Sequence, residues 1–140
     1  MKAPLWLRVS SIISFFFAAG HTLGGRKSWS PAGETDVLRA MKTVSYHVMG
    51  VDRTFFDFYT GFGWSLSVYL LLQAVLLWQL ASIARDEPRR VRPLVAAILA
   101  ATVACAVISW RLILPVPVVF SGVLALGLGL AYAACGARAS

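Results

Sequence analysis

"VYLLLQAVLLWQLASIARDEPRRVRPLVAAILAATVACAVISW", residues 68–110, holds two apolar runs divided by a short linker in which Arg85, Arg89, Arg90 and Arg92 crowd together. Crossing a hydrocarbon core of roughly 30 Å takes about 20 helical residues, and cations clustered beside such runs are orientation signals for membrane insertion. The stretch therefore reads as two membrane helices and the turn between them. The whole chain agrees. Of its 140 residues 59% are hydrophobic and 14% charged, with a mean hydropathy of +0.73. Soluble domains average about 25% charged residues, so too little polar material is present to cover a globule and lipid must cover the apolar faces. The net charge of +7 does not indicate nucleic acid, because the linker arginines sit between apolar runs.

Working outward, four spans are expected, over residues 5–23, 55–84, 93–112 and 117–136. The fold class is all-α: a four-transmembrane-helix bundle in one domain, with a short amphipathic helix in the outer loop 24–54. The second span exceeds the core thickness, so it should tilt or project into water. Arg92-Pro93 opens the third span, and Pro115 and Pro117 precede the fourth; proline in a first helical turn costs little. A basic start and the small residues Ala18-Ala19-Gly20 also suit a cleavable signal peptide, but the first segment is read here as a retained span. Cys105 and Cys135 lie inside apolar runs without a CxxC pattern and read as packing residues.

Lys and Arg set the orientation. Lys2, Arg8, the four linker arginines and Arg138 fall on one side of a four-span chain, and Arg26, Lys27, Arg39, Lys42, Arg53 and Arg111 on the other. The first group sits in short, dense segments beside the spans, where the positive-inside rule has its weight. Both termini are therefore expected in the cytoplasm, in a bacterial inner (plasma) membrane, with loop 24–54 facing outward.

Spans three and four carry small residues at four-residue steps, Ala97, Ala101 and Cys105 against Ala125, Gly129 and Ala133, which would let the two backbones approach closely. In the outer loop Ser30-Pro31 and Thr35 signal a helix start and Gly50 a stop, with Val37, Met41, Val44 and Val48 on one face. Asp52 would cap the second span.

The ionisable residues converge at the outer end. His21 closes span one, Asp57 and Tyr59 open span two, Trp110 and Arg111 close span three, and Glu34 and His47 stand in the loop. Ionisable groups at membrane depth mark function by default. Tyr59, Phe62, Leu66, Tyr69 and Gln73 recur at helical spacing along span two, mixing rings with hydrogen-bonding tips, and Gln73 would leave its amide unmet if it faced lipid. Gly61 and Gly63 thin the same helix. These features predict an outward-facing pocket, apolar below and charged above. His21 and Asp57 are the candidate proton carriers. Tyr59, Phe62, Tyr69, Gln73, Trp110, Arg111, Glu34 and His47 are the candidate ligand-binding groups. The bland alternatives are interfacial belt residues, a snorkelling arginine and a structural ion pair. No cofactor or metal is expected: His21 and His47 stand on different segments without HxxxH, HxxE or CxxCH spacing, and no Walker loop, dinucleotide fingerprint or GxSxG elbow occurs.

With "GHTLGG" at residues 20–25 and "FYTGFG" at 58–63, the chain resembles a family of small bacterial four-span membrane proteins. Its layout is similar, more loosely, to the DoxX-like proteins and to the EXPERA group of emopamil-binding sterol isomerases. That resemblance implies a four- or five-helix bundle and, from the isomerases, a buried pocket in which acidic and histidine groups move a double bond. No catalytic residue is carried over by it. Two functions are thus expected. One is binding of a lipid-like or isoprenoid-like small molecule, with acid–base isomerisation or hydration as the chemistry of an enzyme. The other is a non-catalytic assembly subunit. Membrane lipids, a hydrophobic small molecule and a second copy of the chain are the expected partners, and nucleic acid is not.

Overall fold

The computed structural model describes residues 2–24 and 32–137. Arg26, Lys27, Trp29, the Ser30-Pro31 signal and Arg138 lie outside them. Four helices are long and apolar enough to cross a membrane: α1 (Ala3–Gly24), α3 (Phe55–Ile83), α4 (Pro88–Leu112) and α5 (Pro115–Gly136). Between α1 and α3 stand the short α2 (Asp36–Thr43) and an antiparallel pair, β1 (Ser45–Val48) and β2 (Val51–Thr54). The architecture is all-α, as expected, with one small hairpin whose first strand lies where a helix is expected. The chain forms two compact units, one of residues up to Phe17 and from Leu70 on, the other of Ala18–Tyr69.

The larger unit is a helical core. Its buried residues recur at steps of three and four: Leu70, Ala74, Leu77, Ala81 and Ala84 on and just beyond α3, and Leu124, Leu128, Ala131 and Cys135 on α5. Such spacing lays one seam along each helix. On α1 the seam is made of hydroxyls. Ser10, Ser11 and Ser14 are all buried; the Ser11 hydroxyl donates to the Ala74 carbonyl at 2.7 Å and that of Ser14 to the Leu70 carbonyl at 3.1 Å. Lipid tails give helices no hydrophobic reason to associate, so hydrogen bonds and close packing must hold them. Gly127 of α5 supplies the close packing: a Cβ placed there would stand 2.6 Å from Ser10 Oγ. Phe17 stacks on Phe120 with ring centroids 5.0 Å apart. Arg8, inside the first span, lays its guanidinium over the Trp78 ring at 4.9 Å, an attraction that strengthens where water is scarce.

Helices α4 and α5 pack as a hairpin through the short link at Ile113 and Leu114. The face they use differs from the expected one. Ala97, Ala101 and Cys105 are exposed, whereas Val91, Val95, Thr102 and Ser109 are buried; on α5 Ala125 and Gly129 are half-buried and Ala133 is exposed. An apolar side chain carries no address in a membrane, because lipid covers it as well as a neighbour does. Helix α4 also begins earlier than expected, at Pro88, which leaves Pro93 inside the helix. Only the bond to the Arg89 carbonyl is lost there, close to the helix end.

In the smaller unit the Thr35 hydroxyl accepts from the Leu38 N–H and caps α2. The expected helix to Gly50 stops instead at Thr43. Ser45 to Val48 and Val51 to Thr54 form the hairpin, and Met49 and Gly50 turn it with φ of 52° and 82°. Two consecutive positive φ angles make the tight turn that matches strand twist, and the β-branched and aromatic residues on either side prefer extended backbone. The expected stripe fails with the helix: Leu38 is buried, while Val37, Val44 and Val48 are exposed.

Candidate functional site

The smaller unit holds the end of α1 and the first half of α3, and here the structure places His21. Its Nδ1 lies 3.0 Å from Ser67 Oγ, and the Ser67 hydroxyl donates to the Gly63 carbonyl at 3.3 Å. A hydroxyl has one proton to give. When that proton goes to Gly63, Ser67 Oγ accepts from His21 Nδ1–H, and in either tautomer Nε2 is the nitrogen that Ser67 does not hold. Nε2 makes no hydrogen bond among the described residues. His21 is half-buried, an imidazole tied by one nitrogen and open at the other.

A Cβ added at Gly20, Gly24, Gly61 or Gly63 would meet no atom within 4 Å. On α3 the rings expected to line an inward pocket point outward. Tyr59 is 41% exposed, Phe62 65% and Tyr69 68%. The buried side of α3 in this unit is that of Ser67. Phe58 and Phe62 meet edge to face at 4.8 Å between centroids, and Phe56 lies 6.5 Å from Tyr59. The result is an aromatic surface on the outside of α3.

His21 and Asp57, the two candidate proton carriers, have different hydrogen-bond partners. Asp57 Oδ2 accepts from the Thr54 N–H at 2.9 Å, and Thr54 Oγ1 accepts from the Asp57 N–H at 3.0 Å. This reciprocal pair closes the first turn of α3 as a capping box. Ser67 stands ten residues further along, about 15 Å at 1.5 Å per residue. The other acids of the unit are likewise engaged: Glu34 with Lys42 at 3.0 Å, Asp36 with Arg39 at 3.2 Å, and Asp52 with His47 at 2.8 Å. Lys42 also lies over the Phe56 ring at 5.6 Å, and the Tyr46 and Phe55 rings meet at a tilt of 50°, 5.2 Å between centroids. Glu34 and His47 therefore belong to exposed ion pairs that hold the connection in shape, each worth little by itself. Asp52 pairs with His47 across the hairpin and does not cap α3, whose cap is Thr54.

Three expected site residues belong to the larger unit. Trp110 is 71% exposed at the end of α4, with the Arg111 guanidinium 5.5 Å from its ring. Gln73 has its Nε2 shut away from the surface, as expected of an amide that avoids lipid, and that atom makes no hydrogen bond among the described residues. The residue missed from the sequence is Ser67. Its signal was available: a hydroxyl inside an apolar helix, four residues after a glycine, has to find a partner.

Among the described residues no group of three or more His, Cys, Asp or Glu side chains could hold a metal ion. No protein-family model matches the chain, and neither a curated protein nor a solved structure is significantly similar to it.

Proposed function

We propose that this integral membrane protein holds a lipid-like or isoprenoid-like molecule at the loop end of α1 and α3, its apolar chain along the rings of α3 and its polar head on His21 Nε2. One observation carries the reading: an imidazole held by Ser67, its second nitrogen without a hydrogen bond among the described residues, stands on a helix end with glycines beside it. Binding is favoured over double-bond isomerisation or hydration, because Asp57, the expected second proton carrier, is committed to the α3 cap. Those reactions need an acid and a base within reach of one substrate. We place the protein in a bacterial inner membrane with both termini cytoplasmic, from the arginines beside the span ends. A photoactivatable isoprenoid-like amphiphile, added to membranes containing the full chain, tests the site. Crosslinks should fall on residues 55–69 of α3 and on the end of α1. Labelling spread evenly over all four spans would remove the site.

A second reading, an assembly subunit, is favoured by one feature. The exposed Ala97, Ala101 and Cys105 give α4 a smooth outer stripe against which another helix could pack. Cysteine crosslinking through Cys105 in membranes separates the readings: a covalent dimer or heteromer supports assembly.

A further inference from the structure

Within the larger unit, the starts of α1 and α4 and the ends of α3 and α5 surround a hollow of about 990 Å³. Lys2, Arg85, Arg89 and Arg90 line it with two acids, Asp86 and Glu87. Glu87 is paired with Arg90 at 2.9 Å. The side chains of Lys2, Arg85 and Arg89 have no hydrogen bond or ion pair among the described residues. Arg92, the remaining linker arginine, lies over the Tyr132 ring at 4.4 Å, against Gly136, and is not counted. The helix ends do not decide the sign of the site. The starts of α1 and α4 bring their positive ends to the hollow, and the finishes of α3 and α5 their negative ones. The charges without an ion pair among the described residues do decide it: Lys2, Arg85 and Arg89 outweigh Asp86. Helix α4 also starts without a side-chain cap at Glu87; Pro88 has no N–H and that of Arg90 donates to the Glu87 carbonyl at 3.1 Å, so the Arg89 N–H remains for an anion.

We infer that this hollow is a binding site for a phosphate group, held by Lys2, Arg85 and Arg89 at the start of α4. Arginine suits it because its planar fork grips phosphate oxygens in pairs. The walls contributed by Ala3, Pro4, Ala84 and Ala134 are apolar, which fits a headgroup whose chains continue into the membrane. A soluble phosphate offers the same oxygens. The site is independent of the His21 reading, since it shares no residue with it.

The test is thermal unfolding of the full chain in a zwitterionic detergent, with phosphatidylglycerol, phosphatidylcholine or inorganic phosphate added. Stabilisation by phosphatidylglycerol alone assigns the phosphate to a lipid, and stabilisation by inorganic phosphate as well assigns it to a soluble anion. In either case R85Q/R89Q must weaken the effect, by about fivefold in apparent affinity for each cation removed. E87Q, which frees Arg90, must strengthen it. The pair R39Q/R53Q, in the smaller unit, must leave it unchanged. No stabilisation by either phosphate source, or equal stabilisation of wild type and R85Q/R89Q, overturns the site.

Discussion

His21 Nδ1 and Ser67 Oγ lie 3.0 Å apart, and this contact holds the orientation of the imidazole. Ser67→Ala should therefore free the ring without removing it. Hydrogen bonds between membrane helices average about 0.6 kcal/mol, so the fall in Tm should be about 2 °C. Ser67→Thr, which keeps the hydroxyl, should restore it. Thermal unfolding in detergent reads both, and a Thr variant no better than Ala would remove the hydrogen bond from the explanation.

The serines of α1 should not be equivalent. Ser11 and Ser14 donate to carbonyls of α3, whereas Ser10 Oγ is buried without a partner among the described residues. Ser11→Ala and Ser14→Ala should each destabilise by about 0.6 kcal/mol. Ser10→Ala should be neutral or stabilising, because an unmet buried hydroxyl is removed. Gly127→Ala pushes its new methyl against Ser10 Oγ and should destabilise. In the double variant Ser10→Ala/Gly127→Ala the methyl added at 127 meets only the Cβ at position 10, 3.9 Å away in the native chain, and much of the loss should be recovered. Four Tm values decide the matter.

Asp57 should behave as a cap. Thr54→Ala removes the hydroxyl that receives the Asp57 N–H, and N-cap losses are typically about 1 kcal/mol. Asp57→Ala should fray the same turn. Hydrogen exchange in residues 55–58 should rise in both, while retention of a bound amphiphile stays near wild type. Loss of ligand with an intact first turn of α3 would return Asp57 to the binding site.

Orientation can be read in a chain whose own cysteines are replaced, with a cysteine placed at Ser45 or at Asp86, both exposed. With both termini cytoplasmic, an impermeant thiol reagent on intact cells should label position 45 and spare position 86. The reverse pattern would invert the chain.

The spans were legible because twenty apolar residues in a row have few other uses. Pro115 and the arginines of 85–92 mark the turns, although Pro93, the expected opening of the third span, lies inside α4, which starts at Pro88. The inward faces were not legible from apolar spacing, and α3 shows why. Tyr59, Phe62, Leu66, Tyr69 and Gln73 form the more conspicuous stripe, yet the buried seam runs through Ser67, Leu70, Ala74 and Leu77. In water an aromatic stripe seeks the core; in lipid it can remain outside at no cost, and hydroxyls and small residues point inward instead. Ser10, Ser11, Ser14 and Gly127 carried that information. His21 was legible as a site candidate because a histidine ending an apolar helix is costly to bury. Its partner was not, because the carboxylates of the loop region pair locally, as Asp57 does with Thr54, and proximity in sequence says nothing about which donor a cap will use. The hairpin's signal is Met49-Gly50 set between Val48 and Val51.

Binding at His21 is tested most directly by native mass spectrometry of the full chain released from membranes, compared with His21→Ala, His21→Gln and Phe62→Ala/Tyr69→Ala. Wild type should keep a bound apolar molecule of one mass class through detergent exchange. His21→Ala and the ring variant should lose it, and His21→Gln should keep part of it through its amide. Identical adducts on all four proteins would contradict the proposed site and leave His21 as a residue that ties α1 to α3.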